Sequence, residues 1–431
     1  IELKPDLASA HCNLGIILQD LDKLQEAEVS LRKAIELNPK FAQAHTNLGM
    51  ILGNRDKSTE AELSHRKAIK YNPNLVEAHY NLGNILISLD KSEEAESCHR
   101  KAIELRPSFA EAHYNLSNLL LKQKRFKEGW EEYEWRWQGN QKETSIGKQL
   151  ATLKPEWLPK NRGRVLLWGE QGIGDQILFA SVIPELVEKV DQLIVVVDQR
   201  LISLFKRSFN QSIIYLAEND VIKEDEYDFQ IAMGSVPKLL RNTRASFEKH
   251  NQPYLKVDEK KSNIFREHLR DLRCKKIIGI SWRSNSEINK DKSLLLEEFV
   301  LGIYSPSCCF VNLQYGDTKD EIINLKKKYD IKIIELEDID NYKDIDDLAS
   351  LINACDQIVS IENLTPNLAG AIGIKTHVLL NHKSHWRYGE NNNFCYWLPS
   401  LKLIKKQQNE TWEKAFRQIK KNLMRKDATN D

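Results

Sequence analysis

The chain has 431 residues, with 63 Lys and Arg against 62 Asp and Glu. At roughly 100 to 200 residues per domain this is room for two to four domains, and the balanced charge excludes a whole-chain field able to hold nucleic acid or an anionic membrane. No apolar run approaches the roughly 20 residues of a bilayer-spanning helix, and IELKPDLASA has neither the basic start nor the apolar core of a signal peptide. A cytoplasmic protein is expected, and the isoleucine at position 1 reads as the start of a fragment. The seven cysteines are scattered, with only Cys308 and Cys309 adjacent and no C-x-x-C pair. They are expected to be reduced and packed, with no metal site.

The first third repeats with a period of 34 residues: AHCNLGIIL, AHTNLGMIL, AHYNLGNIL and AHYNLSNLL begin at Ala10, Ala44, Ala78 and Ala112. Each opens the first helix of a pair, and EAEVSLRKAIELNP, EAELSHRKAIKYNP and EAESCHRKAIELRP supply second helices. Small Ala27, Ala61 and Ala95, then Ala34, Ala68 and Ala102, let helices approach, while Pro39, Pro73 and Pro107 end each pair. This pattern resembles the tetratricopeptide repeat, four units without a gap, and IELKP looks like the tail of a truncated one. Such a solenoid buries its core only between neighbours.

Two columns of the repeat carry chemistry. His11, His45, His79 and His113 recur at a spacing that does not converge on one ion, so packing is expected over metal binding or pH sensing. Asn13, Asn47, Asn81 and Asn115 resemble the asparagine ladder of the O-linked N-acetylglucosamine transferase superhelix, where amides grip a peptide backbone. An amide offers a donor and an acceptor to a main chain; solvated or intra-repeat asparagines are the alternative. Downstream, FKEGWEEYEWRWQ (126–138) is expected to replace the next helix pair by an aromatic docking face of Trp130, Tyr133, Trp135 and Trp137. A polar linker then runs over 139–162.

From Val165 short β-branched runs alternate with amphipathic stretches. Strands are expected at 164–168, 193–197, 212–216 and 229–233, then at 276–282, 309–315, 331–336, 357–361 and 376–381. These read as two Rossmann-like domains, 163–262 and 263–400, followed by a basic helix over 401–431 of the kind that crosses back to the first domain. Ligands collect at the carboxyl ends of such strands. After the first strand stands WGEQGIGDQ (168–176), with Glu170, Gln171, Gly172 and Gly174. Ile177 takes the place of the third glycine of a dinucleotide loop, and Asp175 puts a carboxylate where a phosphate would sit, so Asp175 is a helix cap or a catalytic carboxylate. The second half offers SIENLTPNLAGAIG (360–373), where Thr365 can cap and Pro366 sits in the first turn, leaving free N–H groups as an anion seat. Arg283, Lys290 and Lys292 in GISWRSNSEINKDKS are expected to face it.

LLWGEQGIGDQILFASVIPEL, DFQIAMGSVPKLL, QPYLK, GISWRSN, FVNLQYGD, DIDDLASLINACDQIVS, NLAGAIG and HWRYGENNNFCYWLPSLKLIKKQ occur in that order. Together they resemble bacterial tetratricopeptide-repeat glycosyltransferases whose catalytic part is similar to the heptosyltransferase family. The resemblance implies an all-α solenoid followed by an α/β GT-B fold, two Rossmann-like domains facing a cleft. It implies inverting, metal-independent transfer from a nucleotide diphosphate sugar, with no resident cofactor, to a protein or glycan acceptor recruited by the repeats. Asp175 would be the base or orient the acceptor, with Glu170, Gln171, Gly172 and Gly174 forming the acceptor loop. Donor contacts would fall on Arg283, Asn285, Lys290, Lys292, Gln314, Glu362, Asn363, Thr365 and Asn367. The family's donor loop usually reads Asp, then Ser or Thr, with a His before Leu-Ala-Gly; here those places hold Glu362, Asn363 and Asn367. Two alternatives stand beside the transferase: a catalytically silent scaffold with a degenerate GT-B part, and an NAD-dependent oxidoreductase, which the missing glycine disfavours.

Overall fold

The computed structural model describes residues 7–139, 149–249, 251–270, 274–284, 292–336, 339–381, 384–390, 393–407 and 410–424. They fall into two compact units, Ile1–Leu120 with Glu131–Thr144, and Leu121–Trp130 with Ser145–Asp431.

The first unit is an all-helical tetratricopeptide solenoid. Its helices are α1 (Ala8–Asp20), α2 (Leu24–Leu37), α3 (Ala42–Asn54), α4 (Ser58–Tyr71), α5 (Val76–Ser88), α6 (Ser92–Leu105), α7 (Ala110–Lys122) and α8 (Phe126–Tyr133), the last shared with the second unit. All six column alanines are fully buried, because only a methyl group fits where the helices cross. The turn inside each pair places Asp22, Asp56, Asp90 and Lys124 at φ of 58, 57, 57 and 67°, a left-handed position that aspartate tolerates better than lysine.

The first histidine column locks successive units together. Nε2 of His45, His79 and His113 lies 2.9, 2.8 and 3.0 Å from the carbonyl oxygens of Pro39, Pro73 and Pro107. Each ring thereby satisfies a carbonyl left over at the end of the preceding helix pair. A second column escaped the sequence reading. Leu31, His65 and His99 fill the same place in successive units, against Gly15, Gly49 and Gly83, where an added Cβ would come within 2.6, 2.5 and 2.6 Å of those side chains.

The stretch 126–138 does not replace a helix pair. Phe126 follows Ser92 by 34 residues, and Phe126–Tyr133 is the second helix of the fourth unit, continued by a 3-10 turn at Glu134–Trp137. Nor are its rings an outward docking face, since Trp130 and Tyr133 are buried. In the first unit Trp135 stacks on His113 at 3.9 Å, and Arg136, standing in the alanine column, lies buried over the rings of Tyr133 and Trp137. In the second unit Trp130 donates to the carbonyl of Arg241 at 2.9 Å and meets Trp386 edge-on at 5.3 Å, while Phe126 packs on Phe247.

The second unit holds two parallel sheets with helices. The first has the order β3-β2-β1-β4, formed by β1 (Arg164–Trp168), β2 (Gln192–Val197), β3 (Ile214–Ala217) and β4 (Phe229–Ala232). The second has the order β10-β9-β8-β5-β6-β7, formed by β5 (Lys276–Ser281), β6 (Cys308–Asn312), β7 (Ile333–Ile334), β8 (Gln357–Ile361), β9 (Thr376–Leu380) and β10 (Leu401–Lys405). Val165, Leu166 and Leu167 are fully buried in the first sheet; Trp282, Phe299 and Phe310 anchor the core of the second.

Four boundaries differ from the expectation. Residues 401–405 are an edge strand paired in register with β9, not helix, and only Glu413–Met424 is helical. That helix does not cross back to the first sheet: Phe416, Ile419 and Leu423 join Phe299, Val300 and Ile303 in the second core, where Phe416 lies against Gly302. The helix Glu259–Arg270 runs through the proposed boundary at 262, and it belongs to the second half, since Ser262 and Arg266 bond Asn353. Within the expected linker, Trp157 is fully buried and its N–H bonds Gln230 of β4 at 2.8 Å, because an indole of that area does not stay in water beside an open sheet edge. The cysteines also depart from expectation: Cys274 and Cys309, 35 residues apart, form a disulfide at the starts of neighbouring strands, with Cα atoms 5.8 Å apart.

Candidate functional site

The loop after β1 leads into the helix Ile173–Phe179, whose N-cap is Gly172. Asp175 is therefore not the cap. It stands at the third helical position, where the helix dipole favours a carboxylate, and it forms an ion pair with Arg387 from the far end of the second half. Around it, the polar residues of the loop are committed to the fold. Buried Glu170 accepts from the N–H of Gly234 at 3.0 Å, fixing the turn after β4. Buried Gln176 donates to the Gln171 carbonyl and to Glu218, both at 2.8 Å, and accepts from the Asp198 N–H at 2.9 Å, tying the ends of β1, β2 and β3. Ile177, where a dinucleotide loop has glycine, is fully buried.

In the second half the loop after β8 leads into the helix Leu364–Ile372, capped by Asn363 rather than Thr365. The Asn363 Oδ1 accepts from the Thr365 N–H at 3.0 Å, and its Nδ2 reaches Ser281 Oγ at 2.7 Å and the Arg283 carbonyl at 3.2 Å. This cap uses one N–H, and Pro366 has none to offer, so the expected seat of free N–H groups is thin. Thr365 Oγ1 and Asn367 Oδ1 are buried without a hydrogen-bond partner among the described residues. Asn367 Nδ2 donates to the Gly174 carbonyl at 3.0 Å, so the two candidate loops touch directly.

The cations are arranged differently from the expectation. Arg283 does not point its charge at that helix: its guanidinium is held by Glu321 and the Asp317 carbonyl. Gln314 is spent on positioning, its Oε1 accepting from Ser281 Oγ, the Trp282 N–H and the Arg283 N–H at 2.9 to 3.0 Å. Lys292 pairs with Glu362 at 3.0 Å, and both are mostly buried. Asn285 and Lys290 lie outside the described residues.

Two residues that sequence reasoning had quoted within HWRYGENNNFCYWLP, but given no role, complete the cluster. The His385 N–H donates to Glu362 at 3.2 Å, and the His385 Nδ1 accepts from Arg387 Nε at 3.0 Å, which leaves the ring proton on Nε2. Burial, then the charges of Arg387, Lys292 and Lys122, hold this imidazole well below the usual histidine range, so it is neutral. Burial opposes the charge on Arg387, yet Asp175 and Glu362 outweigh it and its proton is bound more tightly than usual. Burial, helped by Glu362, pushes the Tyr388 phenol well up. The only advance signal was position: a Trp-flanked His-x-Arg just after a strand of a parallel sheet. The cluster thus places a carboxylate of one half against a guanidinium, an imidazole and a Lys–Glu pair of the other. Such a set can hold an anion and receive a proton. Among the described residues no three His, Cys, Asp or Glu are grouped to hold a metal ion, and no helix is long and apolar enough to cross a membrane.

The asparagine column is partly occupied within the solenoid. Asn47 accepts from Gln43 at 3.0 Å and donates to Cys12, and Asn115 donates to Asn84 at 2.8 Å and to the Tyr80 hydroxyl at 3.2 Å. Asn13 is exposed and Asn81 half-buried.

Comparison with known proteins bears on the repeats most directly. Family models described as tetratricopeptide repeat match residues 8–41 and 76–109, and another matches 30–62. Protein FlbA of Caulobacter vibrioides is 30% identical over 312 residues, 68% of this chain and 51% of that protein. The chain spans about half the length of that relative, and the match is longer than the repeats. Among solved structures, MamA is 22% identical with a TM-score of 0.30, covering 31% of this chain and 78% of that one. YrrB, described as a TPR protein with an unusual peptide-binding site, is 23% identical with a TM-score of 0.29, covering 31% and 70%.

Proposed function

We propose that the protein is an inverting, metal-independent glycosyltransferase of GT-B type that takes a nucleotide diphosphate sugar as co-substrate, with its acceptor, a protein or a glycan, recruited by the repeats. The observation that supports this most is the meeting of the two strand-end loops, Asp175 against Arg387 and Asn367 against Gly174. In the reaction the acceptor hydroxyl oxygen bonds to the anomeric carbon from the face opposite the leaving group. The bond from that carbon to the diphosphate breaks, its electron pair departs with the diphosphate, and Asp175 takes the hydroxyl proton. The histidine missing at position 367 has a counterpart in the cluster, since His385 brings an imidazole from another segment. Tetratricopeptide repeats suit a protein-interaction role, with Asn13 and Asn81 the column members least engaged by neighbours.

The second reading, a silent scaffold, is favoured by Glu362, whose carboxylate stands where a diphosphate would settle and is already neutralised by Lys292. A panel of UDP-, GDP-, ADP- and CDP-sugars, assayed for transfer to acceptor and for hydrolysis, separates the two. Turnover that disappears in Asp175→Asn supports the enzyme. Full turnover in that variant removes Asp175 as base, and donor binding with no turnover in the unaltered protein selects the scaffold.

A further inference from the structure

Among the cations described around the two loops, Lys292 is neutralised by Glu362 within its own half, and Arg283 is held by Glu321 and the Asp317 carbonyl. Arg387 alone of these three has its counter-ion in the opposite half, on the first turn of the helix after β1. Its other described bond runs through Nε to His385, whose N–H is fixed on Glu362, so the guanidinium is held in place from behind while its forward partner is a carboxylate. A planar guanidinium binds carboxylate and phosphate with the same fork, so one can replace the other without moving the arginine. The helix N-terminus beside it supplies few N–H groups of its own, since Asn363 caps one and Pro366 lacks one. Thr365 Oγ1 and Asn367 Oδ1, both buried and unpartnered, line that turn.

Resting on the glycosyltransferase reading, we propose that Arg387 exchanges Asp175 for the diphosphate of the donor, so that donor binding frees the Asp175 carboxylate to receive the acceptor proton. Asp175 is then a competitor of the diphosphate as well as the base, and the order of binding is fixed as donor before acceptor. An acceptor bound first meets a carboxylate whose oxygen is engaged by Arg387. The Lys292–Glu362 pair and His385 keep Arg387 aimed, and they are positioning residues.

Calorimetric titration of the full chain with UDP, GDP, ADP and CDP, and with the four matching nucleosides, tests the exchange. The nucleoside diphosphate that binds the unaltered protein is expected to bind Asp175→Asn about tenfold more tightly, because an anionic competitor has been removed. It is expected to bind Arg387→Lys about tenfold more weakly, because the fork has been lost. The matching nucleoside, without phosphates, is expected to bind all three proteins alike. Equal or weaker diphosphate binding by Asp175→Asn overturns the exchange while leaving the transferase reading intact. An Asp175→Asn protein that does not fold leaves Arg387→Lys to decide: undiminished diphosphate binding there overturns the assignment of Arg387. Binding of none of the four diphosphates removes the donor reading and the exchange with it.

Discussion

His65 and His99 lie fully buried in the solenoid with both ring nitrogens unpartnered, and burial lowers each pKa to about 4. Leu31 fills the same place against Gly15, so the fold itself shows that a leucine fits. We predict that His65→Leu with His99→Leu stabilises the repeats at pH 7.5, by about 1 to 3 kcal/mol per site, the cost of a buried polar group left without a partner. The pH dependence follows from linkage. A pKa that falls on folding means that the unfolded chain binds more protons, so the stability from these rings is complete above the unfolded value of about 6.5 and is lost as pH falls toward 4. Between pH 7.5 and pH 5 the loss is about 2 kcal/mol for each histidine, from a shift of roughly 2.5 units at 1.36 kcal/mol per unit of which four-fifths or less is realised by pH 5.

The assay is amide hydrogen exchange of α3 to α6 in the full chain at the two pH values, corrected for intrinsic rates, since opening of buried helices reports their local stability. The unaltered protein should lose about 4 kcal/mol more protection free energy than the double variant on going to pH 5. An identical pH dependence in the two proteins would refute the reasoning, as would a double variant less stable than its parent at pH 7.5.

Three further outcomes are expected. Glu170→Ala strands the buried N–H of Gly234 and should cost about 1 to 3 kcal/mol in urea unfolding of the α/β unit, with nucleoside diphosphate affinity unchanged; a changed affinity would return Glu170 to the binding site. Gly174→Ala puts a methyl group 3.2 Å from Asn367 Nδ2, whereas at Gly172 an added Cβ meets nothing within 4 Å. The first should lower both melting temperature and transfer rate and the second neither, so equal effects would show that the two loops do not rely on their close approach. Trp130→Ala should destabilise the α/β unit by about 3 to 5 kcal/mol, read by exchange of β1 and β4; a loss confined to α1 to α6 would contradict the packing on Trp386 and Arg241.

How far the sequence carries can be judged from particular elements. The 34-residue period located every helix pair because identical contacts must repeat when each unit packs on the next. Strands such as 164–168 and 357–361 were legible from continuous β-branched runs, which parallel sheets bury on both faces. Strand 401–405 was not: LKLIK at a sheet edge keeps Lys402 and Lys405 half-exposed, and the alternation merged with the basic helix beyond. At the site, Asp175 and Asn367 stood in recognisable turns, but the pairing of Asp175 with Arg387 spans 212 residues and depends on an irregular segment with no periodic signal. Arg283 misled for a related reason, since charge in a strand-end loop says nothing of which carboxylate will claim it. The disulfide was hidden likewise, because only the register of β5 with β6 brings Cys274 to Cys309.

The divided helix α8 bears on how such a chain could be reassembled by recombination. Its first turns give Phe126 and Trp130 to the aromatic cluster of the α/β unit, while Tyr133, Trp135 and Arg136 finish the repeats. A crossover in the polar stretch after 139, where composition changes most visibly, would transfer the sheets without Phe126 and Trp130. A heritable α/β module therefore has to bring its own final repeat helix with it, and repeats can be gained or lost freely only upstream of that helix.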